Sequence, residues 1–305
     1  MVADQKKLTP AGARRRRLGA VLGGLLLTEG RPWCVTGQPS PSPARIVSLV
    51  PSVTEILFAI GAGPKLIGVS SYDRQPPGVA KVARVGGLLD PDLERILQLR
   101  PDLVVVYATQ DDLRAQLRRA GIAEFSYTNT DLAGVAGTMR QLGRRLGVAA
   151  QADRAADAID RHLASIGARM KGRTRPQVLL VFGREPLGLR NIDAAGGVGF
   201  HNDALAVAGA VNVLADVRRT TVQITSEAVL RLAPEVIIDL HYGDRLASID
   251  LGAERKVWDR LPAVPAIKTG RVYLLVGDEF VVPGPRIADA TEKIARALHP
   301  EVFER

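Results

Sequence analysis

Apolar and polar positions change period in blocks along this 305-residue chain. RIVSLV (45–50) is a short apolar run and predicts a buried strand. PSVTEILFAIGAG follows at helical spacing. Ser52 with Glu55 three residues on has the form of a capping box, and the run closes at Gly61 and Gly63. KLIGV (65–69) predicts the next strand, and residues 70–90, rich in Gly and Pro, a loop. Asp90-Pro91 predicts a helix start, with Asp as N-cap and Pro in the first turn, and that helix stops before Pro101. DLVVVY (102–107) is apolar almost throughout, the mark of a parallel strand buried on both faces. DDLRAQLRRAG then reads as an amphipathic helix. Repeated βαβ order predicts an α/β lobe on a parallel sheet.

From about Thr130 the pattern is helical for a long stretch. Residues 151–172 hold no proline and predict a helix of about 30 Å at 1.5 Å per residue, suited to a rigid strut between lobes. After Pro176 the scheme restarts with QVLLVF (177–182). NDALAVAGAVNVLADV parallels TEILFAIGAGPKLIGV at an offset of 148 residues, with Asp203 on Glu55 and Gly209 on Gly61. TSEAVLRLAPEVIIDLHY (225–242) parallels PDLERILQLRPDLVVVY (91–107) at an offset of 133, with Glu227 on Glu94 and Pro234 on Pro101. A repeat of this size is a duplicated lobe, not a solenoid. GRVYLLVG (270–277) predicts one more strand, and 285–300 a closing helix. AGGVGF (195–200) reads as a tight loop with no strand running straight into it. The expected fold is therefore α/β, with two similar parallel-sheet lobes joined by one long rigid helix and a ligand cleft between them. The boundaries are an N-terminal lobe at 45–148, the connecting helix at 149–173 and a C-terminal lobe at 174–305.

The chain start has its own character. Lys6, Lys7 and Arg14 to Arg17 precede the apolar run Leu18 to Leu27, which is too short to span a bilayer and has the form of an export signal over residues 1–37. Val35 and Gly37 suit a cut before Gln38, and a Pro/Ser linker follows at 38–44. Cys34 is a candidate for a lipid tether. The formal charge of +9 rests largely on this segment: without its seven basic and two acidic residues, 34 positive groups face 30 negative ones, or +4. No other basic block with interleaved aromatics remains, which argues against nucleic acid as a partner. The mature chain is expected to be soluble.

No phosphate-cradling loop and no nucleophile elbow occurs. A single cysteine excludes a disulfide framework and a thiolate metal centre. Residues 45–130 hold no histidine, which disfavours a zinc or manganese site shared between lobes. An exported metal-cluster enzyme on a two-lobe scaffold is the rival reading from another class, and it lacks the thiolates a cluster needs. What remains is a non-catalytic binder. In open parallel sheets ligands sit beyond the carboxyl ends of strands. There the sequence places Tyr72, Tyr107, Phe182, Arg184, His241, Tyr242 and Phe280. Arg184 could pair with a ligand carboxylate, and His241 with Tyr242 could reach a metal held in a macrocycle.

Together RIVSLVPSVTEILFAIGAGPKLIGVSSYDRQPP, LERILQLRPDLVV, FGREP, SEAVLRLAPEVII and GRVYLL resemble the periplasmic substrate-binding proteins that serve importers of cobalamin, haem and ferric siderophores. The resemblance covers about residues 44–300. It implies two α/β lobes joined by one long helix that limits hinge closure. It implies a metal chelate as ligand, with no resident cofactor, and an ABC permease dimer as partner. By position it implies that Glu94 and Glu227 dock the two lobes on that twofold partner. Cobalamin-type corrinoids rank first by pattern, then haem and ferric siderophores. Pocket tryptophans of the cobalamin-binding members fall near Leu88 and Thr221, so two rings of that cage are missing here.

Overall fold

The computed structural model describes residues 42–128 and 131–304. The expected export signal and Cys34 lie outside the described residues. The first sheet is built from β1 (Ile46–Ser48), β2 (Leu66–Val69), β3 (Ala83–Arg84), β4 (Leu103–Tyr107) and β5 (Ala123–Tyr127) in the order β3-β2-β1-β4-β5. Every pairing in it is parallel. The crossovers carry α1 (Pro51–Ala59), α2 (Leu93–Gln98) and α3 (Asp111–Arg119). Helix α4 (Leu132–Leu146) then leads into α5 (Ala149–Arg169). Helix α5 has 21 residues and so spans about 32 Å between the last strand of the first sheet and the first strand of the second.

Beyond α5 come β6 (Gln177–Gly183), β7 (Ile192–Ala195), α6 (Phe200–Val207), β8 (Val211–Asn212), β9 (Thr221–Ile224), α7 (Ser226–Leu232) and β10 (Val236–His241). The chain closes with α8 (Leu251–Lys256), α9 (Pro265–Lys268), β11 (Val272–Val276), α10 (Ile287–Leu298) and α11 (Pro300–Phe303). The second sheet runs β11-β10-β6-β7-β9, with β8 beside β6. It departs from the expected parallel sheet: β7 runs antiparallel to both β6 and β9. A turn over residues 184–191 causes the reversal. There the Gly188 amide donates to the Glu185 carbonyl and the Glu185 amide to the Arg190 carbonyl, at 3.1 Å each. Strand β7 then runs straight into Gly196-Gly197, contrary to the expectation that no strand does so. The loop is nonetheless tight. The amides of Gly196 and Gly197 are spent on Thr220 and Val217 carbonyls, and a Cβ on Gly197 would stand 1.9 Å from the Ala215 carbonyl oxygen.

Two helix starts also differ from expectation. Helix α1 has Val50 as N-cap with no side-chain cap; Ser52 and Glu55 lie inside the helix and are buried. Asp92, not Asp90, caps α2 by accepting from the Arg95 amide.

The doubled phrase folds into the same device twice. Asp92 and Thr225 cap α2 and α7. Ile96 and Val229 are fully buried under them. Arg100 and Ala233 both end the helix in the left-handed region, at φ 49° and 44°, just before the shared proline. Asp102 then accepts from the amides of Ala44 and Arg45, and Glu235 from that of Gln177 at 2.7 Å. Each carboxylate therefore pins the start of the first strand of its own sheet.

One apolar core runs through both halves. It holds Ile46 and Val105, crosses Ala152, Ala156, Ile159 and Ile166 of α5, and continues to Leu180, Ile238 and Ile294. Each fully buried Leu or Ile contributes about 2 kcal/mol, so the lobes cannot separate freely at α5. His162 of α5 also bonds Glu292 of α10, with Nε2 and Oε2 2.6 Å apart. Among the described residues no helix is long and apolar enough to cross a membrane.

Candidate functional site: a cleft at the strand ends

The carboxyl ends of β2, β10 and β11 converge with the start of α1 and the approach to α10. Between them lies a cavity of about 200 Å³ lined by Pro51, Glu55, Tyr72, Asp73, Arg74, Tyr242, Asp278, Val281 and Arg286, among others. Ligand pockets for drug-sized molecules measure roughly 300–1,000 Å³, so this conformation is closed to a large chelate. Two ion pairs cross from lobe to lobe. Arg286 reaches Glu55 through Nη2 to Oε1 at 2.6 Å and Nε to Oε2 at 2.9 Å. Arg74 meets Asp244 at 2.8 Å. Glu279 holds Arg286 from the other side at 3.1 Å. The hydrogen bond to Glu55 raises the Arg286 pKa above its ordinary value, so the guanidinium stays charged. Glu55 thus serves the lobe contact, not the capping box that its spacing suggested.

Asp73 is the outlier of the cleft. It is 2% exposed, and neither carboxylate oxygen reaches hydrogen-bond geometry with a partner. Burial pushes its pKa up to about 7, against the opposing pull of Thr54, the Ser70 backbone and Arg84. The segment that carries it is fixed through its backbone: Arg84 Nη1 bonds the carbonyls of Ser70 and Asp73, both at 2.8 Å.

Of the seven residues expected to touch a ligand, Tyr72 and Tyr242 line the cavity, one from each lobe, and both are exposed. Tyr107 ends β4 half-buried and packs edge-on against Tyr127, with ring centres 6.2 Å apart. Burial, then Tyr127, pushes its pKa up to about 12. Phe182 stacks on His201 at 5.0 Å. Burial lowers the His201 pKa to about 4, so the ring is neutral and its Nε2–H donates to the Phe280 carbonyl at 2.8 Å. Phe280 itself is 2% exposed and belongs to the core, not to the cleft wall.

Arg184 is a second correction. Its guanidinium is spent inside the second lobe on Asp239, at 2.8 and 3.0 Å, and on Glu254 at 2.7 Å. Trp258 Nε1 donates to the same Asp239 oxygen at 3.0 Å, and His241 Nε2 stands 3.4 Å from it. Burial opposes the Asp239 charge, but His241, Arg184 and Trp258 outweigh it and hold the carboxyl below its usual range. No donor of Arg184 is left for a ligand carboxylate. The sequence carried a signal for this cluster: Asp239 interrupts VIIDLH where the first copy has Val106. An acid in a buried strand needs a cation.

Glu94 and Glu227 take the second position of α2 and α7, and both are exposed. The Thr225 hydroxyl bond lowers the Glu227 pKa. A leucine three residues on is also exposed in each copy: Leu97 at 39% and Leu230 at 41%. An open groove of about 420 Å³ lies against α7, lined by Leu214, Ile224, Ala228 and Arg231, and shares no lining residue with the cleft.

Two α/β halves on one long helix, with a cavity at facing strand ends, are matched in known proteins. Residues 46–278 match the family model described as periplasmic binding protein. The chain belongs to the periplasmic binding protein family. It is 30% identical over 270 residues to YvrC of Bacillus subtilis, described as an uncharacterized ABC transporter substrate-binding lipoprotein, covering 86% of this chain and 82% of that one. It is 31% identical over 256 residues to the vitamin B12-binding protein of Salmonella typhimurium, covering 83% and 90%. Among solved structures, a periplasmic heme binding protein from Pseudomonas aeruginosa superposes with a TM-score of 0.71 at 27% identity, covering 85% of this chain and 93% of that one.

Proposed function

We propose that this chain is the exported, non-catalytic carrier of an ABC importer. It takes a metal chelate between its lobes, a cobalamin-type corrinoid first, and hands it to an inner-membrane permease. The cleft carries this reading: Tyr72 and Tyr242 line a cavity between the lobes at the strand ends, where α/β sheets bind ligands. The vitamin B12-binding relative at 31% identity supports the corrinoid. The heme-binding protein of the same fold supports haem as the second reading. Docking uses Glu94 and Glu227. The repeat supports that role: core packing, caps and strand clamps account for most shared positions of the doubled phrase, and leave an exposed glutamate with an exposed leucine three residues on in each copy.

Calorimetric titration of the full chain with cyanocobalamin, haemin and a ferric siderophore tests the reading. The expected result is one saturable site for one of them, weakened when Tyr72→Ala and Tyr242→Ala are combined. No heat with any of the three would end the chelate reading and leave only the family membership.

A further inference from the structure

Five carboxyl and guanidinium side chains line the cleft: Glu55, Asp73, Arg74, Asp278 and Arg286. Four are engaged. Arg286 holds Glu55, Arg74 holds Asp244, and Asp278 Oδ1 accepts from the Gly243 amide at 3.0 Å. Asp73 differs, because both of its oxygens are buried without a hydrogen-bond partner. Buried polar groups are almost always paired, and an unpaired carboxylate is among the costlier exceptions. This one caps no helix and joins no ion pair, and the pull of Thr54, the Ser70 backbone and Arg84 does not offset its burial. A partner that arrives with the ligand accounts for its presence.

The chemistry of that partner follows from the lining. A carboxylate accepts hydrogen bonds from N–H groups. Both guanidiniums of the cleft already hold a carboxylate, and a ligand acid would face Glu55, Asp73 and Asp278 together. An amide fringe meets no such repulsion and supplies the missing donor. Resting on the carrier reading above, we propose that Asp73 is a specificity-determining acceptor: it takes a hydrogen bond from an amide or amine N–H at the ligand's edge, and so selects an amide-fringed chelate over a carboxylate-fringed one. A corrinoid carries such amides, whereas haem carries two propionates.

Absorbance titration of the full chain with cyanocobalamin and with haemin tests the assignment, using wild type, Asp73→Ala and Asp73→Asn. Wild type should hold cyanocobalamin more tightly than haemin. Asp73→Ala should lose about ten- to a hundred-fold for cyanocobalamin, the range for a hydrogen bond to a charged group, with haemin binding unchanged or tighter. Asp73→Asn keeps an acceptor oxygen and should lose less than Asp73→Ala. The ligand-free melting temperature of Asp73→Ala should be no lower than that of wild type, since burial costs the carboxylate more than Thr54, the Ser70 backbone and Arg84 return; a clear drop would mark a structural role and overturn the assignment. An equal loss for both ligands, no loss for either, or a wild-type preference for haemin would overturn it as well. If wild type binds neither chromophore, the carrier reading itself fails, which is a different result from a silent Asp73 variant.

Discussion

Replacing Asp73 by Asn should make stability respond to pH in a direction fixed by burial. The Asp73 pKa rises from 3.8 to about 7 on folding, chiefly through desolvation. Glu55 of α1 pushes the same way, while Arg84 of β3 opposes it; Tyr107 of β4 stands close enough for the Asp73 charge to raise its own pKa. A group with a raised folded pKa favours the fold when protonated. Its cost is absent well below the unfolded pKa of 3.8, grows as pH rises, and levels off above about 7. Three units correspond to about 4 kcal/mol at the plateau, of which about 1.5 kcal/mol is already present at pH 5. The asparagine variant carries no such cost. Its stability relative to wild type should therefore improve by about 2–3 kcal/mol between pH 5 and pH 8. Urea unfolding of both proteins across that range reads the difference, in which all other titrations cancel. A flat difference, or a variant that loses ground at pH 8, would refute the claim that this carboxylate is buried and unpartnered.

Arg184→Met should destabilise the chain by about 3–5 kcal/mol in chemical unfolding, because Asp239 and Glu254 lose their buried cation. Unchanged stability with lost ligand affinity would instead restore Arg184 to the binding site. Arg286→Met should cost about 2–3 kcal/mol, less than a wholly buried pair because Arg286 is 31% exposed, and Glu55→Gln in the same chain should recover part of the loss in a thermal melt. Glu94→Arg combined with Glu227→Arg should leave melting and ligand titration unchanged while transport through the permease falls to background; loss of ligand binding in that variant would sink the docking role.

Much of the fold was legible because α/β alternation writes itself into hydrophobic period, and the doubled phrase marked two lobes. The mixed second sheet was not. Its turn carries Pro186 and Gly188, but IDAA is too short to read as a strand. Local spacing also misled at Glu55: S-x-x-E is a cap pattern, and its true partner, Arg286, lies 231 residues away. At the site, strand order tells which ends face the cleft, and Tyr72 and Tyr242 do line its cavity. It did not tell side-chain direction, so Arg184 and Phe280 were placed in the cleft although the structure turns them inward. Asp73 was passed over because an aspartate in a Pro-rich loop reads as a turn residue. Only tertiary packing buries it.

The proposed carrier should hold a metal chelate in its cleft. The direct measurement is an absorbance spectrum of the full chain mixed with cyanocobalamin, or separately with haemin, and then desalted. About one cyanocobalamin should be retained per chain, with less haemin. Two colourless eluates would contradict this expectation.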